Sequence, residues 1–115
     1  MALTALSMAT GRYGVTSFRD DAVDVPAVYR PTVVMTAMPN KAKTNVNVSI
    51  KSTYPLAVEV DGKWVARNVF YVRTSLNALQ SVTCDVQRAK IIDDHIAMLT
   101  MYKLTLQNGA VPTVA

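Results

Sequence analysis

Asn45-Val46-Asn47-Val48-Ser49-Ile50-Lys51 is the stretch whose reading decides the fold. Side chains along a β-strand point alternately to opposite faces, so Val46, Val48 and Ile50 go one way and Asn45, Asn47, Ser49 and Lys51 the other. One face of the resulting sheet is buried and one is wet. Upstream, Pro31 opens the β-branched, apolar run Thr32-Val33-Val34-Met35-Thr36-Ala37-Met38, which Pro39-Asn40 closes. Downstream, Tyr54-Pro55 is expected to end the central strand, and Asp61-Gly62 marks a tight turn before Lys63-Trp64. A third strand, Val69-Phe70-Tyr71-Val72-Arg73-Thr74-Ser75-Leu76, repeats the pattern with Phe70, Val72, Thr74 and Leu76 on one face and Tyr71, Arg73 and Ser75 on the other.

The flanks are less regular. The N-terminal stretch to about Phe18 reads as two short strands around Gly11-Arg12-Tyr13-Gly14, and Arg19 to Arg30, with three aspartates and Pro26, reads as a connection. After Gln80 the period changes from two to 3.6, with Val86, Ala89, Ile92, Ile96 and Leu99 forming the stripe of an amphipathic helix. Ser81 or Thr83 is expected to cap its start, Asp85 suits the first turn and Lys103 the C-terminal end, and Asn108-Gly109 then Pro112 stop it. Ile91, Met98 and Met101 widen the stripe, so the helix is expected to pack against two surfaces.

The 115 residues make one domain, 1–80 mainly β and 81–115 helical, with room for one core. Half of the residues are hydrophobic and only 17% are charged, which implies that some apolar surface meets another subunit. A net charge of +4 favours a polyanionic partner. The single Cys84 cannot form an internal disulfide, which suits a reducing cytoplasm. The first ten residues lack a basic n-region, and no segment approaches the roughly 18 apolar residues of a membrane span, so neither a signal peptide nor a membrane association is expected.

Catalytic chemistry has little support. The four glycines are scattered at 11, 14, 62 and 109, leaving no phosphate-cradling loop. Cys84 and His95 would lie about 16 Å apart along one helix, too far for a dyad. Asp93-Asp94-His95 point about 100° apart from one another, so they read as a solvated face or a dimer contact, with no metal, cofactor or small-molecule substrate expected. Asn45, Asn47, Ser49, Lys51, Tyr71, Arg73 and Ser75 have a bland reading as the wet side of a sheet. They have a sharper one as a nucleic-acid platform, because these side chains contact phosphates, bond base edges and stack on unpaired bases. Trp64 is either a contact aromatic on the turn or a core anchor.

Taken together, the order of elements resembles the coat proteins of single-stranded RNA bacteriophages. Residues Thr32 to Pro55, with the basic loop Asn40-Lys41-Ala42-Lys43, resemble that family's pair of central strands. Ala66 to Leu99, with Arg67, the aromatic strand, Arg88 and Ile96-Ala97-Met98-Leu99, resemble its last strand and long helix. The resemblance implies an α+β fold: an N-terminal β-hairpin and a five-stranded antiparallel sheet, followed by C-terminal helices that pack on the partner subunit's sheet in an intertwined dimer. It also implies a homodimer that assembles into an icosahedral shell in the bacterial host cytoplasm, a virion location, viral single-stranded RNA as partner, and repression of translation through an RNA hairpin as a second role. The family's RNA-contacting positions fall on Lys41, Lys43, Asn45 and Asn47, and on Tyr71 and Arg73 of the last strand. On the first central strand the matching face reads as Val33, Met35 and Ala37. A small cellular single-stranded nucleic-acid-binding or repressor dimer is the competing reading, and an enzyme comes third.

Overall fold

The structure is a computed structural model that describes residues 1–113, apart from the Val82 side chain. Five strands form one antiparallel sheet in chain order: β1 Leu3–Ser7, β2 Gly14–Asp20, β3 Thr32–Pro39, β4 Asn45–Val60 and β5 Lys63–Leu79. The N-terminal hairpin supplies the first two. Two helices follow, α1 Asp85–Met101 and α2 Lys103–Gln107, and the chain divides into two compact units, Met1–Leu79 and Gln80–Ala115. This is the α+β order expected from the sequence. Among the described residues no helix is long and apolar enough to cross a membrane.

The central strands form as their alternation requires, but they run further than expected. β4 continues through Pro55 to Val60. β3 pairs with β4 only as far as Thr53, so beyond that point β4 has a single neighbour and a proline without an N–H is tolerated. The extension closes at Asp61-Gly62, whose φ angles of 52° and 76° are both left-handed. That is the mirror-image two-residue turn whose twist matches the flanking strands. β5 likewise begins at Lys63, with an irregularity in its pairing opposite Leu56/Ala57.

The helical unit departs from expectation in two places. Cys84 occupies the N-cap and makes no side-chain capping bond, and the two hydroxyls expected to cap the helix, those of Ser81 and Thr83, bond to each other at 2.8 Å. Arg88 reaches back instead to the Ser81 carbonyl at 2.8 Å and to Asp85, which lies in the first turn as expected. At the other end the helix breaks at Tyr102, so Lys103 starts α2 and does not close α1. Asn108-Gly109 does stop the second helix. Gly109 takes φ 69°, its N–H bonds Leu106 and the Ala110 N–H bonds Thr105, the double bond pattern that closes a helix on a left-handed residue.

Little of this is buried. Val46, at 3% exposure, is the buried hydrophobic residue of the described chain, and every residue of α1 except Arg88 is exposed.

Candidate nucleic-acid interface

Register decides which side chains share the sheet's polar face, since residues directly opposite one another across a ladder point the same way. Asn45, Asn47, Ser49, Lys51 and Thr53 of β4 face Leu79, Asn77, Ser75, Arg73 and Tyr71 of β5. On the other side of β4, Thr53, Lys51, Ser49 and Asn47 face Thr32, Val34, Thr36 and Met38 of β3. The face therefore extends over three strands. It corrects one expectation: Val33, Met35 and Ala37 lie on the opposite, apolar face with Ser52, Ile50 and Val48, while β3 offers Thr32 and Thr36 to the polar side. The Thr36 and Ser49 hydroxyls bond each other at 2.6 Å across that ladder.

The six residues singled out from the sequence are not one cluster. Asn45, Asn47, Tyr71 and Arg73 do share the polar face, but Tyr71 lies six residues along β5 from Asn77, the partner of Asn47, or about 20 Å. Lys41 and Lys43 belong to the loop between β3 and β4, at the Asn45 end. That loop is tied by Asn40, whose Oδ1 accepts from the Thr44 N–H at 2.9 Å and whose Nδ2 donates to the Thr44 hydroxyl at 3.1 Å. Lys43 there adopts φ 56°, a conformation in which a side chain costs about 1–2 kcal/mol and glycine is the ordinary occupant. A lysine is held where the backbone would favour a residue without a side chain.

The other end of the face is basic and aromatic. Arg73 lies opposite Lys51, and the Lys51 Nζ sits 4.6 Å from the centre of the Tyr71 ring, a cation–π contact. Tyr71 is 61% exposed, leaving ring surface for a base. Lys51 belongs to the polar platform read from the sequence but not to the six positions that the family resemblance implies, and Asn77 is in neither, although it continues the alternation of Arg73 and Ser75. Arg19, in the row of Thr32, Thr53 and Tyr71, is engaged with Asp21 at 2.6 Å. Hydrogen bonds from Arg19, then Thr4, then Arg30 hold the Asp21 carboxyl well below the usual carboxylate range. The backbone N–H groups of Ala2 and Ala22 similarly lower Asp20. This cluster ties β1, β2 and the 21–31 connection together, and it neutralises Arg19 in place. The face can thus meet phosphates with Lys41, Lys43, Lys51 and Arg73, hydrogen-bond bases with its amides and hydroxyls, and stack one base on Tyr71. Among the described residues no three His, Cys, Asp or Glu side chains converge as a metal site would require.

The opposite face is apolar and poorly covered. Phe70 is 54% and Val72 60% exposed, and Ile50, Met35 and Tyr54 are exposed beside them.

Neither a protein-family model nor a curated protein sequence matches the chain. Solved structures do. The virus-like particle of bacteriophage AC is similar at 35% identity over 99% of this chain and 100% of that one, with a TM-score of 0.83. The virus-like particle of bacteriophage NT-391 shares the fold at 22% identity and a TM-score of 0.75, over 97% of this chain and 94% of that one. The virus-like particle of Beihai levi-like virus 21 does so at 16% identity and a TM-score of 0.70, over 100% of this chain and 98% of that one. With the fold matched from end to end and the first of these sharing a third of its residues, the chain belongs to the coat proteins of levi-like RNA bacteriophages and is a structural protein of the virion.

Proposed function

We propose that the chain is a shell subunit that dimerises, that its dimers close into an icosahedral particle in the host cytoplasm, and that the polar face of the sheet lines the particle and holds single-stranded RNA. The whole-length likeness to a virus-like particle protein carries this reading. Three features of the chain support it. β5 is a seventeen-residue outer strand whose ladder is with β4 alone, and an open edge of that length is ordinarily covered by another chain. The apolar face around Phe70 and Val72 needs a cover. The α1 stripe, with Ile92, Ile96 and Leu99 all exposed, is a cover of matching character that a second copy would bring.

With the apolar face against a partner, the polar face remains to meet RNA. Repression of translation is a further role of the same surface, exercised by the dimer on an RNA hairpin before assembly. Electron microscopy of the protein expressed alone, with the nucleic acid content of the same sample measured, tests the reading. Uniform closed shells that contain RNA are expected. A discrete dimer at every concentration and salt would overturn it in favour of a small nucleic-acid-binding dimer, and empty shells would remove the RNA half of it.

A further inference from the structure

His95 is the only histidine of the chain, and it stands near the middle of α1. Residues three and four positions away share its side of the helix. They are Ile91 and Ile92 before it and Met98 and Leu99 after it, all four exposed in the single chain. The imidazole is thus ringed by apolar side chains, and among the described residues it has no hydrogen bond or ion pair. The charges of α1 are directed elsewhere. Asp94 and Asp93, one and two positions away, point about 100° and 200° from it, and Lys90 pairs with Asp94 at 2.6 Å. Arg88, two turns earlier, is drawn back to Asp85 and to the Ser81 carbonyl.

The cover proposed for this side of α1 is the apolar face of a second copy's sheet. Three successive rows of that face, from Phe18 to Val72, from Thr16 to Thr74 and from Gly14 to Leu76, hold no charged side chain. Titratable and charged groups stand at its margins. Arg12 lines a groove there with Met35 and Val48, Tyr54 lies in the row beyond Phe18, and Lys63 is at the hairpin tip. Asp20, at the outer corner, already accepts from the Ala2 and Ala22 N–H groups. An imidazole carried onto this face with its apolar neighbours leaves water at little cost while neutral. Once protonated it is a cation without a carboxylate to meet, and burial then becomes strongly unfavourable.

We propose that His95 is a proton-sensitive switch in the contact between α1 and the sheet of a second copy: neutral, it is buried with Ile91, Ile92, Met98 and Leu99 and the contact closes; protonated, it opens the contact. The proposal rests on the dimer proposed above and adds its regulation by pH. Imidazoles in water take up a proton at about pH 6.5, so below that the separated chains bind more protons than the assembled ones. Assembly is therefore full above that pH and weakens as the pH falls, by about tenfold per histidine and per unit, or about a hundredfold for a dimer. Asp20 and Asp21, whose hydrogen bonds hold their carboxyls below the usual range, stay ionised throughout. Light scattering and size-exclusion chromatography of the full-length protein at fixed ionic strength, between about pH 5 and 7.5, read the switch. The parent should lose particles and dimers towards the acid end. His95→Gln and His95→Leu, neutral at every pH, should stay assembled across the range, and His95→Lys should assemble as poorly at the neutral end as the parent does in acid. If the two neutral variants follow the parent's profile, or fail to assemble at any pH, or if the parent is equally assembled at both ends, His95 is not the switch and the dimer stands without it. A parent that is a folded monomer at every pH would overturn the dimer itself, and the switch with it.

Discussion

The two faces of one sheet are both open to solvent in the single chain, and for different reasons. The polar face can stay wet indefinitely: Thr36 and Ser49 satisfy each other, and its lysines and amides are at ease in water. The apolar face cannot. Phe70 and Val72, more than half exposed, would cost free energy for as long as nothing covers them. Exposure alone thus says little about function; the chemistry of what is exposed says which face needs a cover and which can stay wet, and the proposed division into a protein face and an RNA face rests on that difference.

Val72→Asp breaks the comparison most severely. If the side chain stays as exposed as it is in one chain, the substitution should cost within about 0.5 kcal/mol, as surface changes usually do. If a partner covers it, a charge is buried without a counterpart at a cost of several kcal/mol, and no soluble, folded assembly should be recovered. Size-exclusion chromatography with circular dichroism distinguishes the two. Ile96→Asp on α1 should fail in the same way.

On the polar face the expected effects are smaller and leave the fold intact. Tyr71→Ala should cost roughly 1–3 kcal/mol of RNA affinity through lost stacking, with the salt dependence of binding unchanged. Lys51→Ala with Arg73→Ala should weaken binding to every RNA and flatten its dependence on salt by about one unit of slope per lost phosphate contact. Filter binding over a salt series reads both. Equal behaviour of the two variants would mean that stacking and phosphate contact are not separated on this face.

How far this division could be read in advance depended on the strand. β4 was legible because Val46, Val48 and Ile50 alternate with polar residues, so its two faces follow from composition alone. The Asp61-Gly62 turn was legible because few residue pairs accept two left-handed backbones in succession. β3 was not: nearly every position from Thr32 to Met38 is apolar or β-branched, so either set of alternate residues could face outward, and only its pairing with β4 settles that Thr36 lies with Ser49. Asn77 falls outside the strand read from the sequence, whose alternation stops at Leu76, one residue short, whereas the ladder with β4 carries β5 to Leu79. Pro55 was misread as a stop because a proline's cost depends on whether a strand has neighbours on both sides, which is a property of the sheet. Lys51 was in phase with the polar face but lay outside the positions carried over from the family resemblance. The contact of its ammonium with Tyr71 depends on register and cannot be read along one strand.

The smallest expected effect is at Lys43. Its left-handed backbone makes Lys43→Gly a relief of strain, so the variant should gain at most about 1 kcal/mol of stability in chemical denaturation. If the lysine is kept there for RNA, the same variant should bind RNA more weakly. A variant that is both more stable and equally good at binding would show that the loop charge has no part in the interface.

UV crosslinking of the RNA inside purified particles, followed by peptide mass spectrometry, tests the division of the faces most directly. Crosslinks are expected on peptides at Tyr71, Lys51, Asn47 and the Lys41–Lys43 loop, and on none of the side chains Ile50, Phe70 and Val72. Crosslinks centred on Phe70 or Val72, or particles whose RNA crosslinks only outside the sheet, would contradict it.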